Sequence, residues 1–426
     1  MEKIIYPDNT KKQEAIRRPV KSKLELENIV YEIFSEIKQH GDKALIKYTK
    51  KFDKVSLKSL EVSADTIAES ENKISPQLRE AIKIAAENIR KFHESQKEQP
   101  KVIETVKGVK CWRESRAIER VGIYIPGGSA PLFSTVLMLA IPAKIAGCKE
   151  IILCTPPSAN GINPAILFAA KLTGVTKVFS VGGIQAIGAM SYGTESIPKA
   201  DKIFGPGNQY VTMAKQIAQI ICNVSIDMPA GPSEVLIIAD NSCNPAFVAA
   251  DLLSQAEHGA DSQVLLLTND ETIIEAVSKE IETQLKALPR KEIAEESLKN
   301  ARLIVLKSLD ECIELSNTYA PEHLILVCEN ALKITPKITN AGSVFIGNYS
   351  CESAGDYASG TNHTLPTNGY AKNYSGVSLD SFIKKITFQQ ISKEGINNIG
   401  STIEIMAETE ELIAHKNAVT IRLNEN

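Results

Sequence analysis

Apolar residues recur at three- and four-residue spacing through the N-terminal part of the chain, as in Leu24, Ile29, Ile33 and Ile37. That period puts them along one side of a helix, so the charged segments 23–50 and 63–98 predict helices with one buried face. From Arg120 the texture changes. Val121 to Ile125, Ile151 to Cys154, Val178 to Val181 and Val235 to Ala239 are short apolar runs, each followed by Gly or Pro and then a helical stretch. The pattern resumes at Val264 to Leu267, Leu303 to Leu306 and Leu324 to Val327. Strands alternating with helices predict parallel βαβ units. They fall into two blocks joined near Pro229-Ala-Gly-Pro232, which predicts two similar sheet domains without a repeat in the residues themselves. A last segment, from about Phe382, ends in a helical run and a short apolar tail, Val419 to Leu423.

With 426 residues the chain exceeds what one core usually organises, so more than one domain is expected. Charge narrows the partner: 48 Lys and Arg against 51 Asp and Glu give -3, with no long basic run to suit nucleic acid or an anionic membrane. A small molecule is the better expectation. The most apolar stretch, Leu132 to Ala146, contains Pro142 and Lys144, and no signal-like segment follows the charged N-terminal residues, so a cytoplasmic protein is expected. Eight cysteines stand singly, without a Cys-x-x-Cys pair, which favours reduced thiols over disulfides or a thiolate metal site. Neither Cys111 nor Cys148 has a neighbouring base that would make it a nucleophile.

Candidate chemistry begins at Gln255-Ala-Glu-His258, where a helix with Asn244 as its cap, Pro245 in its first turn and Gly259 at its exit comes to an end. Side chains three apart share a face, so Gln255 and His258 can converge on one ion, although a lone His there more often satisfies helix-end carbonyls. Only six histidines occur; His40 and His93 lie in charged helices, while His258, His323, His363 and His415 sit in unusual local sequences. Together with Asp356 they offer ligands suited to zinc or a similar divalent ion. Glu322 and His323 are adjacent, so both reach one site only if the backbone turns at Pro321; there they could accept protons from different donors. The loops Pro126-Gly-Gly-Ser-Ala-Pro131 and Val181-Gly-Gly-Ile-Gln-Ala186, with Phe204-Gly-Pro-Gly-Asn208, could bring backbone amides to phosphate or simply turn the chain. None matches the usual dinucleotide fingerprint. From the residues alone, a zinc hydrolase working without NAD, or a binding protein closing on an imidazole ligand, also remains open.

Taken in order, Tyr124-Ile-Pro-Gly-Gly-Ser-Ala-Pro-Leu132, Phe204-Gly-Pro-Gly-Asn208, Asp227-Met-Pro-Ala-Gly-Pro-Ser-Glu234, Ser254-Gln-Ala-Glu-His-Gly259, Ala320-Pro-Glu-His323, Gly355-Asp-Tyr-Ala-Ser-Gly-Thr-Asn-His363 and Ala414-His-Lys-Asn-Ala-Val419 resemble the histidinol dehydrogenase family over nearly the whole chain. The resemblance implies oxidation of L-histidinol to L-histidine through L-histidinal, with two NAD consumed, in the last steps of histidine biosynthesis. It makes Gln255, His258, Asp356 and His415 the ligands of one zinc ion per subunit, and Glu322 and His323 the catalytic proton acceptors. Substrate would be held by Ser233, Gln255, His258, His323, Asp356, Glu410 and His415, with His363 a weaker member, and NAD by Tyr124, Gln185 and Asn208. His415 and Glu410 would reach the site from the partner in a homodimer.

The fold implied is α/β, with two incomplete Rossmann-like parallel-sheet domains and small N-terminal and C-terminal helical extensions. Residues 1–20 would form the N-terminal extension, and 21–123 plus 233–380 the first Rossmann-like domain, carrying the metal and catalytic residues. Residues 124–232 would form the second, taking NAD, and 381–426 a small domain reaching the partner.

Overall fold

The structure is a computed structural model that describes residues 1–18, 24–127, 131–229 and 231–425. Residues 128–130 of the first glycine loop, Ala230 of the expected junction, and the expected boundary at residues 20 and 21 lie outside the described residues.

All seven apolar runs become strands, and their continuous apolar character follows from parallel sheets covered on both faces. One sheet runs, edge to edge, Lys177–Ser180, Glu150–Thr155, Arg120–Tyr124, Lys202–Phe204 and Ser225–Ile226. The chain enters at the centre, moves outward through two strands, then crosses to the other side, as in a Rossmann half-sheet. A second sheet repeats the order with Arg302–Val305, Gln263–Thr268, Glu234–Ala239, His323–Val327 and Ser343–Ile346. It gains an outer strand, Glu2–Ile5, parallel to Arg302–Val305. The molecule is thus mixed α/β with two similar parallel sheets.

The N-terminal helices depart from expectation. Residues 24–94 were expected with the 233–380 block, but they pack on the five-stranded sheet. Val30, Ile33, Phe34 and Ile37 share a core with Tyr124, Phe179 and Ile187, and Ile82, Ala86 and Ile89 share another with Val121, Ile123 and Leu137. The helices approach closely: a Cβ on Gly188 would stand 2.7 Å from Ile37 Cδ1, so a larger residue in helix Gly183–Tyr192 would make Ile37 of helix Leu24–His40 shift. Ile29 is not in this core; it is exposed and lines the large cavity described below. Residues 2–5 are likewise not helical, because their backbone completes an edge of the six-stranded sheet.

A small antiparallel sheet, Ile383–Ile391 with Val109–Ala117 and Ile103–Val106, precedes two C-terminal helices, Lys393–Thr409 and Ile413–Leu423. In helix Phe133–Ala146 every residue from Ser134 to Ala143 is buried, which explains the lack of a polar face there.

One buried ion pair fastens the motif loops together. Lys215 Nζ pairs with the Asp227 carboxylate and donates to the Gly205 carbonyl (2.9 Å). Asp227 in turn accepts from the Gly205 and Met228 N–H groups (2.8 and 2.7 Å). Both side chains are buried, at 4% and 1% exposure, so removing one strands the other without water. Lys215→Ala is therefore expected to lower stability by roughly 3–5 kcal/mol, read as a lower urea midpoint.

Candidate active site

Glu234 and His323 begin neighbouring strands on the two sides of the point where the strand order of the six-stranded sheet reverses. In the segment before His323 the backbone does turn: Ala320 takes a left-handed conformation (φ 55°) and Pro321 follows. Both acceptor candidates then grip the same residue. The Glu234 N–H donates to Glu322 Oε2 (2.9 Å), and the Glu234 carbonyl lies 3.1 Å from His323 Nδ1. A carbonyl can only accept, so Nδ1 carries the proton and Nε2 presents its lone pair. That Nε2 is buried, has no hydrogen-bond partner, and lies 3.8 Å from Asp356 Oδ1. Burial holds the His323 imidazole below its ordinary pKa, against the pull of Asp356, and so keeps it neutral. Burial also holds the Glu322 carboxyl well above the usual carboxylate range.

Beside this pair, two short helix ends gather oxygen and nitrogen ligands. Helix Pro245–Ala256 starts at Asn244, whose side chain accepts from the Ala246 N–H, with Pro245 in the first turn. It ends one residue before Glu257, however, and Gly259 does not take the left-handed conformation expected of an exit glycine. Gln255 is in the last turn and His258 just beyond it, its N–H donating to the Gln255 carbonyl (3.2 Å). Glu352 and Asp356, four apart in helix Glu352–Tyr357, project from one side. Ligand atoms of His258, Glu352 and Asp356 all lie within 4.8 Å of one another.

The buried Gln255 amide is satisfied when its nitrogen faces Glu352, 2.7 Å from Oε1, an orientation assigned from the hydrogen bonding. Its carbonyl oxygen is then free to serve as a ligand. Burial, with Asp356, Glu322 and Asp251 nearby, raises the Glu352 carboxyl well above its usual range, and burial pushes Asp251 up to about 6. Several crowded carboxyls with one imidazole and one amide fit a divalent cation by charge and by ligand type, because a cation offsets the repulsion that otherwise raises these groups.

The five-stranded sheet carries a cavity of about 850 Å³ at the carboxyl ends of its strands. Tyr124, Gln185 and Asn208 all line it, as do Gly127, Gly183 and Asp53. The Tyr124 hydroxyl accepts from the Gly183 N–H (3.1 Å), and burial pushes it up to about 12. Asn208 caps the next helix through Oδ1, accepting from Tyr210 and Val211, which leaves its NH2 as the available donor. Gly205 (φ 132°) must be glycine, since a Cβ there would collide with the Tyr124 carbonyl. The glycine loops thus serve as close-approach turns and also frame an opening large enough for a dinucleotide.

Ser233 is half-buried just before Glu234. His363 uses both ring nitrogens within the chain: Nδ1 on the Asp356 carbonyl (2.9 Å) and Nε2 on Thr135 Oγ1 (3.0 Å). It braces Asp356 more directly than it offers a free contact. Glu410 and His415 are exposed near the junction of the C-terminal helices, and His415 is not among the His258, Glu352 and Asp356 group within one chain. Cys148 is buried, its thiol pushed up to about 11, away from any nucleophile's range. Sequence reasoning missed Glu352, Glu234 and Asp53. Glu352 had a usable signal, four residues before Asp356; Asp53, at a helix end far from the cavity in sequence, had none.

Fold and site together define a two-sheet α/β protein with a cation-suited cluster and an acceptor pair on one sheet and a nucleotide-sized cavity on the other. The family profile for histidinol dehydrogenase matches residues 16–423. A histidinol dehydrogenase of Bacteroides thetaiotaomicron is 59% identical over 425 residues, covering 100% of this chain and 99% of its own. That of Escherichia coli K12 is 53% identical, covering 97% and 95%. The crystal structure of histidinol dehydrogenase from Elizabethkingia anophelis superposes with a TM-score of 0.97 at 64% identity, covering 99% and 98%. This chain belongs to the histidinol dehydrogenase family and is an oxidoreductase.

Proposed function

We propose that the protein oxidises L-histidinol to L-histidine through L-histidinal, consuming two NAD per histidinol and using one zinc ion per subunit. The observation that carries this reading is the His323 imidazole, locked by the Glu234 carbonyl with Nε2 buried, unpartnered and aimed toward the cation-suited cluster. An alcohol oxidation needs such an acceptor, and a neutral imidazole in a fixed tautomer provides one near neutral pH.

Gln255, His258 and Asp356 would hold zinc from one chain, with His415 of the partner subunit completing the set. Zinc, when bound, supplies a positive centre that fixes the imidazole and amino groups of the substrate. NAD, when bound, accepts hydride once at the alcohol stage and once at the aldehyde stage. His323 takes the alcohol proton at Nε2. Glu322, made more basic by burial, takes a proton from the water that adds to the aldehyde. Ser233 and Glu410 of the partner subunit orient substrate, and His363 steadies Asp356. Tyr124, Gln185 and Asn208 bind NAD in the cavity, where the Tyr124 hydroxyl holds the Gly183 N–H and the next N–H groups of the helix that Gly183 opens suit a pyrophosphate.

A homodimer agrees with the surface of the C-terminal helices, which leave Ile405, Met406, Ile413 and Ile421 exposed at 59–62%. The test is NADH absorbance with L-histidinol, NAD and zinc-loaded protein. About two NADH per histidinol consumed, lost on chelation and regained with zinc, is expected from the stoichiometry of two hydride transfers. Absence of NADH with folded, zinc-loaded protein would refute the reading.

A further inference from the structure

Arg18 lies in the N-terminal segment, far in sequence from the site, yet it is tied to both halves of the acceptor pair's scaffold. Its Nε and Nη2 make a two-pronged ion pair with the Glu234 carboxylate (2.5 and 2.7 Å). Glu234 is only 2% exposed and Arg18 17%, so the pair is shielded from water. The guanidinium also lies 3.8 Å from the Tyr319 ring centre, and Nη2 reaches toward the Ala320 carbonyl at 3.4 Å. Glu234 Oε1 further accepts from the Asn368 N–H (2.9 Å).

These anchor points matter because of what adjoins them. The backbone N–H and carbonyl of Glu234 are the groups that hold Glu322 and His323. Ala320, in its left-handed conformation, begins the turn that delivers the same two side chains. Arg18 therefore clamps Glu234 on one strand to the Tyr319–Ala320 turn that enters the next. A planar, two-pronged guanidinium can fix direction as well as distance, which a lysine cannot.

We infer that Arg18 is a positioning residue for the reaction: through Glu234 and Ala320 it sets the tautomer of His323 and the place of Glu322. The inference rests on the proposed roles of Glu322 and His323. It requires that loss of Arg18 act on the chemical step more than on ligand binding, since Arg18 touches neither the cation cluster nor the cofactor cavity.

The experiment compares Arg18→Met, Arg18→Lys and the double variant Arg18→Met/Glu234→Leu with the parent dimer, all zinc-loaded. For both single variants kcat is expected to fall by roughly 10- to 100-fold. KM for histidinol and NAD should stay within about twofold, and zinc content should not change. In protein carrying nitrogen-15 histidine, the His323 signal, assigned by its loss in His323→Asn, should shift away from the Nδ1–H tautomer in Arg18→Met. The double variant replaces a buried ion pair with apolar groups and should recover stability without recovering kcat. Should Arg18→Met fail to fold, Arg18→Lys and the double variant decide the matter on the same readouts. Unchanged kcat in a folded single variant, a change confined to KM, an unshifted His323 signal, or full kcat in the double variant would each overturn the inference. Failure of the acceptor reading is distinguishable: His323→Asn would then retain turnover, whatever the Arg18 variants do.

Discussion

His323→Asn is expected to lower kcat for histidinol by roughly 10²–10⁴-fold while the protein stays folded and binds zinc. Asparagine keeps an N–H near the Nδ1 position, so the hydrogen bond to the Glu234 carbonyl can persist, and the change deletes the unpartnered Nε2. The loss should be greatest with the alcohol as substrate. Supplied histidinal bypasses the first deprotonation, so its oxidation should suffer less. Glu322→Gln should show the reverse, because the amide oxygen can still accept from the Glu234 N–H while its basicity is gone. Steady-state assays with each substrate check this, and a His323→Asn enzyme within tenfold of the parent on histidinol would remove His323 from the acceptor role.

Subunits carrying His415→Ala, mixed with subunits carrying Glu322→Ala, should regain activity that neither has alone. In a site shared across a two-fold interface, the mixed dimer contains one site with both residues intact and one with neither. Equal mixing and free exchange then give about one quarter of native activity. The structure motivates the test, since His258, Glu352 and Asp356 converge within one chain whereas Glu410 and His415 stay on its exposed C-terminal helices. No recovery after demonstrated exchange would mean that His415 acts, if at all, within its own chain.

Much of this architecture was legible because parallel sheets buried on both faces leave unbroken apolar runs, as at Val235 to Ala239 and Val264 to Leu267. Short strands were not: Lys202–Phe204 and the edge strand Ser225–Ile226 are too brief to set a pattern. The antiparallel pair Val109–Ala117 and Ile383–Ile391 has half-exposed polar residues and partners distant in sequence, so neither strand announces the other. The attachment of the N-terminal helices is not legible, because an apolar face says that a helix is buried, not what covers it; the shared cores with the five-stranded sheet appear only in three dimensions.

At the site, His258 and Asp356 could be picked out as ligand types. The gripping of Glu322 and His323 by one backbone residue could not be read, because main-chain groups leave no mark in a sequence.

The edge strand Glu2–Ile5 has a consequence for how the molecule is made. Its partner, Arg302–Val305, is translated long after it, and the whole five-stranded unit is encoded in between. During synthesis that nested unit can close its own sheet from contiguous chain, while the strand at the front and Arg18 behind it must wait. The acceptor pair can therefore come together only after the chain that frames the nucleotide-sized cavity has been made, so a nascent chain can shape that cavity well before Glu322 and His323 take their places.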